Sequence, residues 1–101
     1  MPFKEWTIDL GDARVYIWRS TDKGELVSFA VILLVCIGDE WECVTRYDCV
    51  HGFPHRDVIG KESGLLYKQT FRGLTLEQVF RYAIHDCQKN YERHIRFFQA
   101  H

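Results

Sequence analysis

The stretch that decides the fold is LVSFAVILLVCI, residues 26–37. It is apolar at both odd and even positions, and Gly38-Asp39, a pair typical of tight hairpin turns, follows it. A strand with apolar side chains on both faces is expected inside a sheet, where both faces are covered. At twelve residues the run is too short for a membrane-spanning helix. We therefore predict a central β-strand.

The segments around this strand also have strand patterns. Apolar and polar residues alternate before Gly11-Asp12, a second hairpin signal, and β-branched and aromatic residues follow it. Strand patterns continue beyond Gly38-Asp39. The sequence predicts an antiparallel five-stranded meander with strands at about residues 3–10, 13–19, 26–37, 40–50 and 65–71.

The C-terminal quarter has a helix pattern. Thr75 followed by Gln78 is a capping box, which marks a helix N-terminus. Apolar residues then recur at spacings of three and four, at Phe80, Ile84, Cys87, Tyr91, Ile95 and Phe98. We predict one long helix over residues 76–98, packed on one face of the sheet. The predicted fold is therefore α+β, in a single domain over residues 1–101.

One helix leaves the second face of this sheet without cover. Large bare apolar patches are unusual on monomers, so we expect a homodimer through that face. Curling of the sheet around its own aromatic rings is the alternative. The chain has fifteen such rings in 101 residues, enough to line a pocket or a subunit contact as well as a core.

Composition and charge exclude several classes of protein. A net charge of −1 argues against broad, non-specific nucleic-acid binding, although not against a local basic patch. The start Met-Pro-Phe-Lys-Glu lacks the features of a signal peptide, so we expect a cytoplasmic location and no membrane partner. The four cysteines include no CxxC pair, which disfavours zinc ribbons and redox motifs.

Reactive side chains are concentrated in YDCVHGFPHRD, residues 47–57, which we expect to be a loop after the fourth strand. His51 and His55 flank its Gly-Phe-Pro turn and could act as acid and base in metal-free cleavage of a phosphodiester. Asp48 is the third candidate catalytic residue. We expect both histidines to lie within about 8 Å of Asp48 or Arg46 and to be partly open to water, because an acid or base must reach its substrate.

Three cations near this segment are candidate phosphate ligands: Arg46, Arg56 and Lys68. Other interpretations stay open. Arg46 and Asp48 share a strand face and could form an ordinary surface ion pair, and the histidines could simply cap loop carbonyls. Zinc binding is a further alternative, with ligands from Cys43, Cys49, His51 and His55. Without paired short-loop spacings, we predict neither a metal nor another cofactor.

The central block resembles the small TumE-type toxin family of prokaryotic toxin–antitoxin pairs. The matching residues are Arg46, Tyr47, Asp48, His51, Pro54 and His55, within a block of about residues 41–58. Members of that family tend to carry more histidines after the proline, whereas Arg56 and Asp57 follow His55 in this chain. The resemblance implies a toxin that acts on RNA or translation and is neutralised by a separate antitoxin protein.

Two functions follow from these observations. The first is a small toxin-like, metal-independent ribonuclease that uses Asp48, His51 and His55. The second is a dimeric binding module whose aromatic sheet face and histidine loop hold a partner without catalysis.

Overall fold

The computed structural model describes residues 2–49 and 52–101. Its β-strands form one antiparallel sheet in chain order, and its two α-helices follow the last strand. The strands are β1 (Phe3–Asp9), β2 (Ala13–Asp22), β3 (Glu25–Ile37), β4 (Glu40–Asp48), β5 (His55–Gly60) and β6 (Gly64–Thr70). The helices are α1 (Leu76–Lys89) and α2 (Tyr91–Ala100).

The predicted α+β class and antiparallel sheet are confirmed, but the sheet has six strands instead of five. The missed strand is β5, which begins at His55 and pairs with both β4 and β6. Its first three residues are charged or titratable, so this stretch was assigned to a loop. It forms a strand because both neighbouring strands pair with it, and His55, Val58 and Gly60 are buried there.

The single predicted helix is in fact two helices that meet at Asn90. Asn90 leaves helical geometry, with φ −116° and ψ 19°, although its backbone N–H still donates to the Asp86 carbonyl. Its side-chain amide also donates to the Asp86 carboxylate at 2.8 Å, which holds the residue in this position. The capping box of Thr75 and Gln78 is confirmed by both of its hydrogen bonds.

The core lies between the two helices and one face of the sheet. α1 contacts β2 and β3, whereas α2 contacts β4 and β5. Fully buried side chains from β2, β3 and α1 form one cluster, which includes Val15, Ile17, Val31, Leu33, Val79 and Ala83. Within the described ranges, no helix has both the length and the apolar character needed to cross a membrane.

A bulge in β4 changes which side chains share a face. Leu33 pairs with Thr45, but its neighbour Leu34 pairs with Cys43, so Val44 is the extra residue. In a strand without a bulge, simple alternation would place Cys43 on the same side as Tyr47. Instead, Val44 and Tyr47 are buried in the core, and Cys43 lies on the opposite face with Leu34.

We call the sheet face opposite the helices the open face. Cross-strand partners point to the same side of a sheet, so the pairing register defines two rows of residues that cross all six strands of this face. The first row is Glu5, Trp18, Ala30, Asp48, His55 and Thr70. The second row is Thr7, Tyr16, Ile32, Arg46, Asp57 and Lys68.

Candidate functional site

Asp48 and His55 form the centre of the candidate site. They are direct cross-strand partners at the end of β4 and the start of β5. His55 Nε2 lies 2.9 Å from Asp48 Oδ1, a hydrogen-bond distance. Asp48 Oδ2 accepts a hydrogen bond from Arg46 Nε at 2.6 Å, so the predicted same-face pair is present. The carboxylate of Asp48 therefore bridges a guanidinium and an imidazole.

Two charged residues of the second row, Asp57 and Lys68, also lie close to His55. Asp57 Oδ1 lies 3.7 Å from His55 Nε2, and Lys68 Nζ donates to the same carboxylate oxygen at 2.8 Å. Lys68 Nζ is also 3.4 Å from His55 Nε2. These residues form one connected open-face cluster, made of Arg46, Asp48, His55, Asp57 and Lys68.

Exposure differs sharply among the members of this cluster. The side chains of Asp48 and His55 are each 6% exposed, and that of Asp57 is 17% exposed. Those of Arg46 and Lys68 are 38% and 48% exposed. His55 is thus close to Asp48, as predicted, but the expectation that it would be partly open to water is wrong. The charges that the cluster presents to solvent are mainly positive.

Two other predicted site residues, His51 and Arg56, are not part of the open-face cluster as the structure describes it. His51 lies outside the described residues. Arg56 is on β5 next to His55, but its side chain is on the helix side of the sheet, where its guanidinium carbon lies 5.9 Å from the ring centroid of Tyr47. Its proposed role as a phosphate ligand therefore does not fit this geometry, whereas Arg46 and Lys68 do lie together with His55.

Three members of the open-face cluster could hold a metal ion. Asp48, His55 and Asp57 each offer one ligand atom, and these atoms all lie within 4.8 Å of one another. Arg46 and Lys68 already neutralise the two carboxylates, so a cation would have to displace them. Of the ligands in the zinc alternative, His51 lies outside the described residues, and the candidate ligand group among the described residues contains no cysteine. Cys49 is buried in the hydrophobic core instead.

A second polar cluster, the buried network, joins the sheet to the helices. Asp86 Oδ2 accepts from the Tyr47 hydroxyl at 2.6 Å and lies 2.8 Å from His94 Nε2. Arg56 lies 3.3 Å from His94 Nδ1. A guanidinium can only donate, so His94 accepts at Nδ1 and carries its proton on Nε2, facing the carboxylate. Asn90 completes the network through its bond to Asp86.

Burial and hydrogen bonding act in opposite directions on the pKa of Asp86. Burial alone would raise this pKa, but the hydrogen bonds from His94, Tyr47 and Asn90 outweigh it and hold the pKa well below its usual range. Burial, together with the bond to Asp86, raises the pKa of Tyr47 far above its ordinary value. Tyr47 therefore remains a hydrogen-bond donor, and Asp86 remains a carboxylate.

Sequence reasoning missed the buried network, although one signal was present. Asp86, Asn90 and His94 recur at a spacing of four residues, next to the apolar residues Ala83 and Cys87. Polar residues at that spacing lie on one side of a helix, and on a buried side they need partners. Tyr47, in the core on β4, was the available partner.

An apolar groove of about 540 Å³ adjoins the end of the first open-face row. Residues 52–54, residues 70–74 and Leu76 line it, and Thr70 is the strand partner of His55. Phe53 and Leu74 are exposed at this groove.

A family model described as a domain of unknown function, DUF7718, matches residues 1–101. The chain belongs to the DUF7718 family. Comparison with curated proteins and with solved structures gave no significant match. The description of the DUF7718 family specifies no activity.

Proposed function

We propose that this chain is a small toxin-like ribonuclease whose reaction takes place at the open-face cluster. The observation that carries the proposal is the position of His55 Nε2, 2.9 Å from Asp48, in a cluster with two exposed cations, Arg46 and Lys68. An imidazole oriented by a carboxylate is suited to proton transfer, and exposed cations are suited to a phosphate. The resemblance of this block to TumE-type toxins supports the same function.

The reaction we propose is attack of an RNA 2′-oxygen on the adjacent phosphorus, which breaks the bond to the 5′-oxygen. Asp57, the more exposed of the two carboxylates, takes the 2′-hydroxyl proton. The leaving 5′-oxygen takes a proton from the Lys68 ammonium. The products are a 2′,3′-cyclic phosphate and a 5′-hydroxyl, and exchange with water restores both protein groups. Asp48 and Arg46 orient His55 and the phosphate.

The low exposure of His55 favours a second function, binding without cleavage. A general acid or base must reach its substrate, whereas the imidazole of His55 is 6% exposed and its Nε2 faces Asp48. In this second function the exposed cations hold an RNA or protein partner, and the buried Asp48–His55 pair fixes the geometry of the strands.

Expression of the chain alone, followed by RNA cleavage assays on the purified protein, separates the two functions. The ribonuclease function predicts slowed growth of the host, rescue by a cognate antitoxin, and RNA fragments that end in a 2′,3′-cyclic phosphate. His55→Ala should abolish both effects. His85→Ala is the matched control, because His85 is an exposed histidine on α1, away from the open face. Normal growth and intact RNA with the unaltered chain would reject cleavage and favour binding.

A further inference from the structure

The open face continues from the charged cluster into an aromatic surface. Trp18 lies in the same cross-strand row as Asp48 and His55, separated from Asp48 only by the small side chain of Ala30. Its ring stacks on Phe3, with centroids 5.8 Å apart, and Phe3 is well exposed. With strands spaced by about 4.8 Å, Trp18 and His55 are roughly 14 Å apart across the sheet.

A second aromatic position lies on the same face. Trp41 is exposed, and the guanidinium carbon of Arg14 lies 3.5 Å above its ring centroid. Arg14 pairs with Leu34, which places both side chains on the open face. Stacked aromatic rings and stacked arginines are the surfaces on which unpaired bases bind.

Charge distinguishes an RNA strand from other occupants of this surface. Within the open-face cluster, the exposed side chains are the cations Arg46 and Lys68, whereas the carboxylates beside them are mostly buried. An apolar partner would leave these cations desolvated, whereas a phosphate backbone would pair with them. Exposed aromatic rings and exposed cations on one sheet face match the two parts of a single-stranded nucleic acid.

From this arrangement we infer that the open face binds single-stranded RNA, with bases stacked on Phe3, Trp18 and Trp41 and the backbone held by Arg46 and Lys68. The inference rests on the proposed function for the choice of RNA, and it adds the substrate form and the path by which the strand crosses the sheet. A duplex hides the faces of its bases, so it cannot use the aromatic surface.

The test is fluorescence anisotropy with a labelled single-stranded RNA of about ten nucleotides, within the site sizes of such surfaces. The same sequence is also tested as a duplex. The His55→Ala protein is used so that the RNA stays intact. We expect tighter binding of the single strand, and about tenfold weaker binding when Trp18→Ala is added. Phe3→Ala, at the exposed end of β1, is the second variant in case Trp18→Ala does not fold. Phe97→Ala is the control, since Phe97 is an exposed aromatic residue on α2.

The outcomes separate this inference from the proposed function. Binding that depends on Trp18 or Phe3, without cleavage by the unaltered chain, would support the inference and reject the ribonuclease. Equal binding of duplex and single strand, or losses no greater than with Phe97→Ala, would overturn the inference even if RNA is cleaved. A dimer that dissociates on Phe3→Ala, with no RNA bound, would also overturn it and would assign the open face to a second copy.

Discussion

The Tyr47 hydroxyl donates a hydrogen bond to Asp86 Oδ2 at 2.6 Å, across 39 positions of sequence. Tyr47 belongs to β4 and Asp86 to α1, and both are buried. The same strand carries Asp48 on its other face, so the bond that attaches the helices to the sheet lies one residue from the open-face cluster. The two polar clusters are thus held by consecutive residues of one strand.

Tyr47→Phe should destabilise the fold by about 1–3 kcal/mol, because the buried carboxylate of Asp86 loses a donor while the ring is kept. Urea denaturation measures this change. Tyr67→Phe is the matched control, because the Tyr67 side chain is exposed on β6 and its substitution should change stability little. Equal effects of the two substitutions would contradict the structural role of the bond.

The buried network should also make stability depend on pH. The pKa of Asp86 is lowered by folding from an ordinary value of 3.8, so its contribution is fully present above about pH 5 and is lost as the pH falls through 3.8 towards the folded value. Asp86→Asn should lower stability at neutral pH, and the stability of this variant should fall less steeply as the pH is lowered. The measurement is the free energy of unfolding of both proteins from pH 7 to pH 2.5. If the free energies of unfolding of the two proteins changed in parallel with pH, Asp86 would not be the source of the pH dependence.

Local pattern was sufficient to predict the antiparallel sheet, the start of α1 and the Asp48–His55 proximity. It was insufficient wherever a tertiary partner decides the structure. His55, Arg56 and Asp57 form a strand because both neighbouring strands pair with it, which no local propensity indicates. The bulge at Val44 and the break at Asn90 likewise depend on neighbours, in the second case on Asp86.

The faces of β5 show why the site was only half predictable. A strand sends neighbouring side chains to opposite sides, so His55 and Arg56 cannot share one site, although they are adjacent in sequence. Treating the stretch as a loop removed that constraint and grouped all its cations together. The burial of His55 depends on packing around the first row, which the sequence pattern does not encode.

Burial also predicts low reactivity for Cys43. Burial raises the pKa of the Cys43 thiol to about 11, although Arg46 opposes the shift, so little thiolate exists at pH 8. We expect iodoacetamide to label Cys43 far more slowly in the native protein than in urea. Peptide mass spectrometry after timed labelling measures the rate. Native labelling of Cys43 as fast as in the unfolded chain would contradict this prediction.

The end of α2 should be sensitive to substitution at Gly60. A Cβ at Gly60 would lie 2.7 Å from the carbonyl carbon of His101, closer than real contacts allow. His101 is held there, because its carbonyl accepts hydrogen bonds from the backbone and hydroxyl of Ser63. Gly60→Ala should therefore destabilise the protein by about 1–3 kcal/mol in thermal or urea unfolding. Lys61→Ala, an exposed neighbour, should have little effect, and equal effects would contradict the contact.

If the open-face cluster cleaves RNA, Asp48 and Arg46 should affect different kinetic constants. Asp48 touches His55 and not the substrate, so Asp48→Asn should lower kcat by about tenfold or more, with little change in KM. Arg46 is exposed and can contact the phosphate of the substrate, so Arg46→Gln should mainly raise KM. The increase in KM should be larger at low salt, where the charge of Arg46 is screened less. Steady-state cleavage of a labelled oligoribonucleotide measures both constants. Because Arg46 also contacts Asp48, a fall in kcat of the same size in both variants would show that the pair acts only as a structural unit.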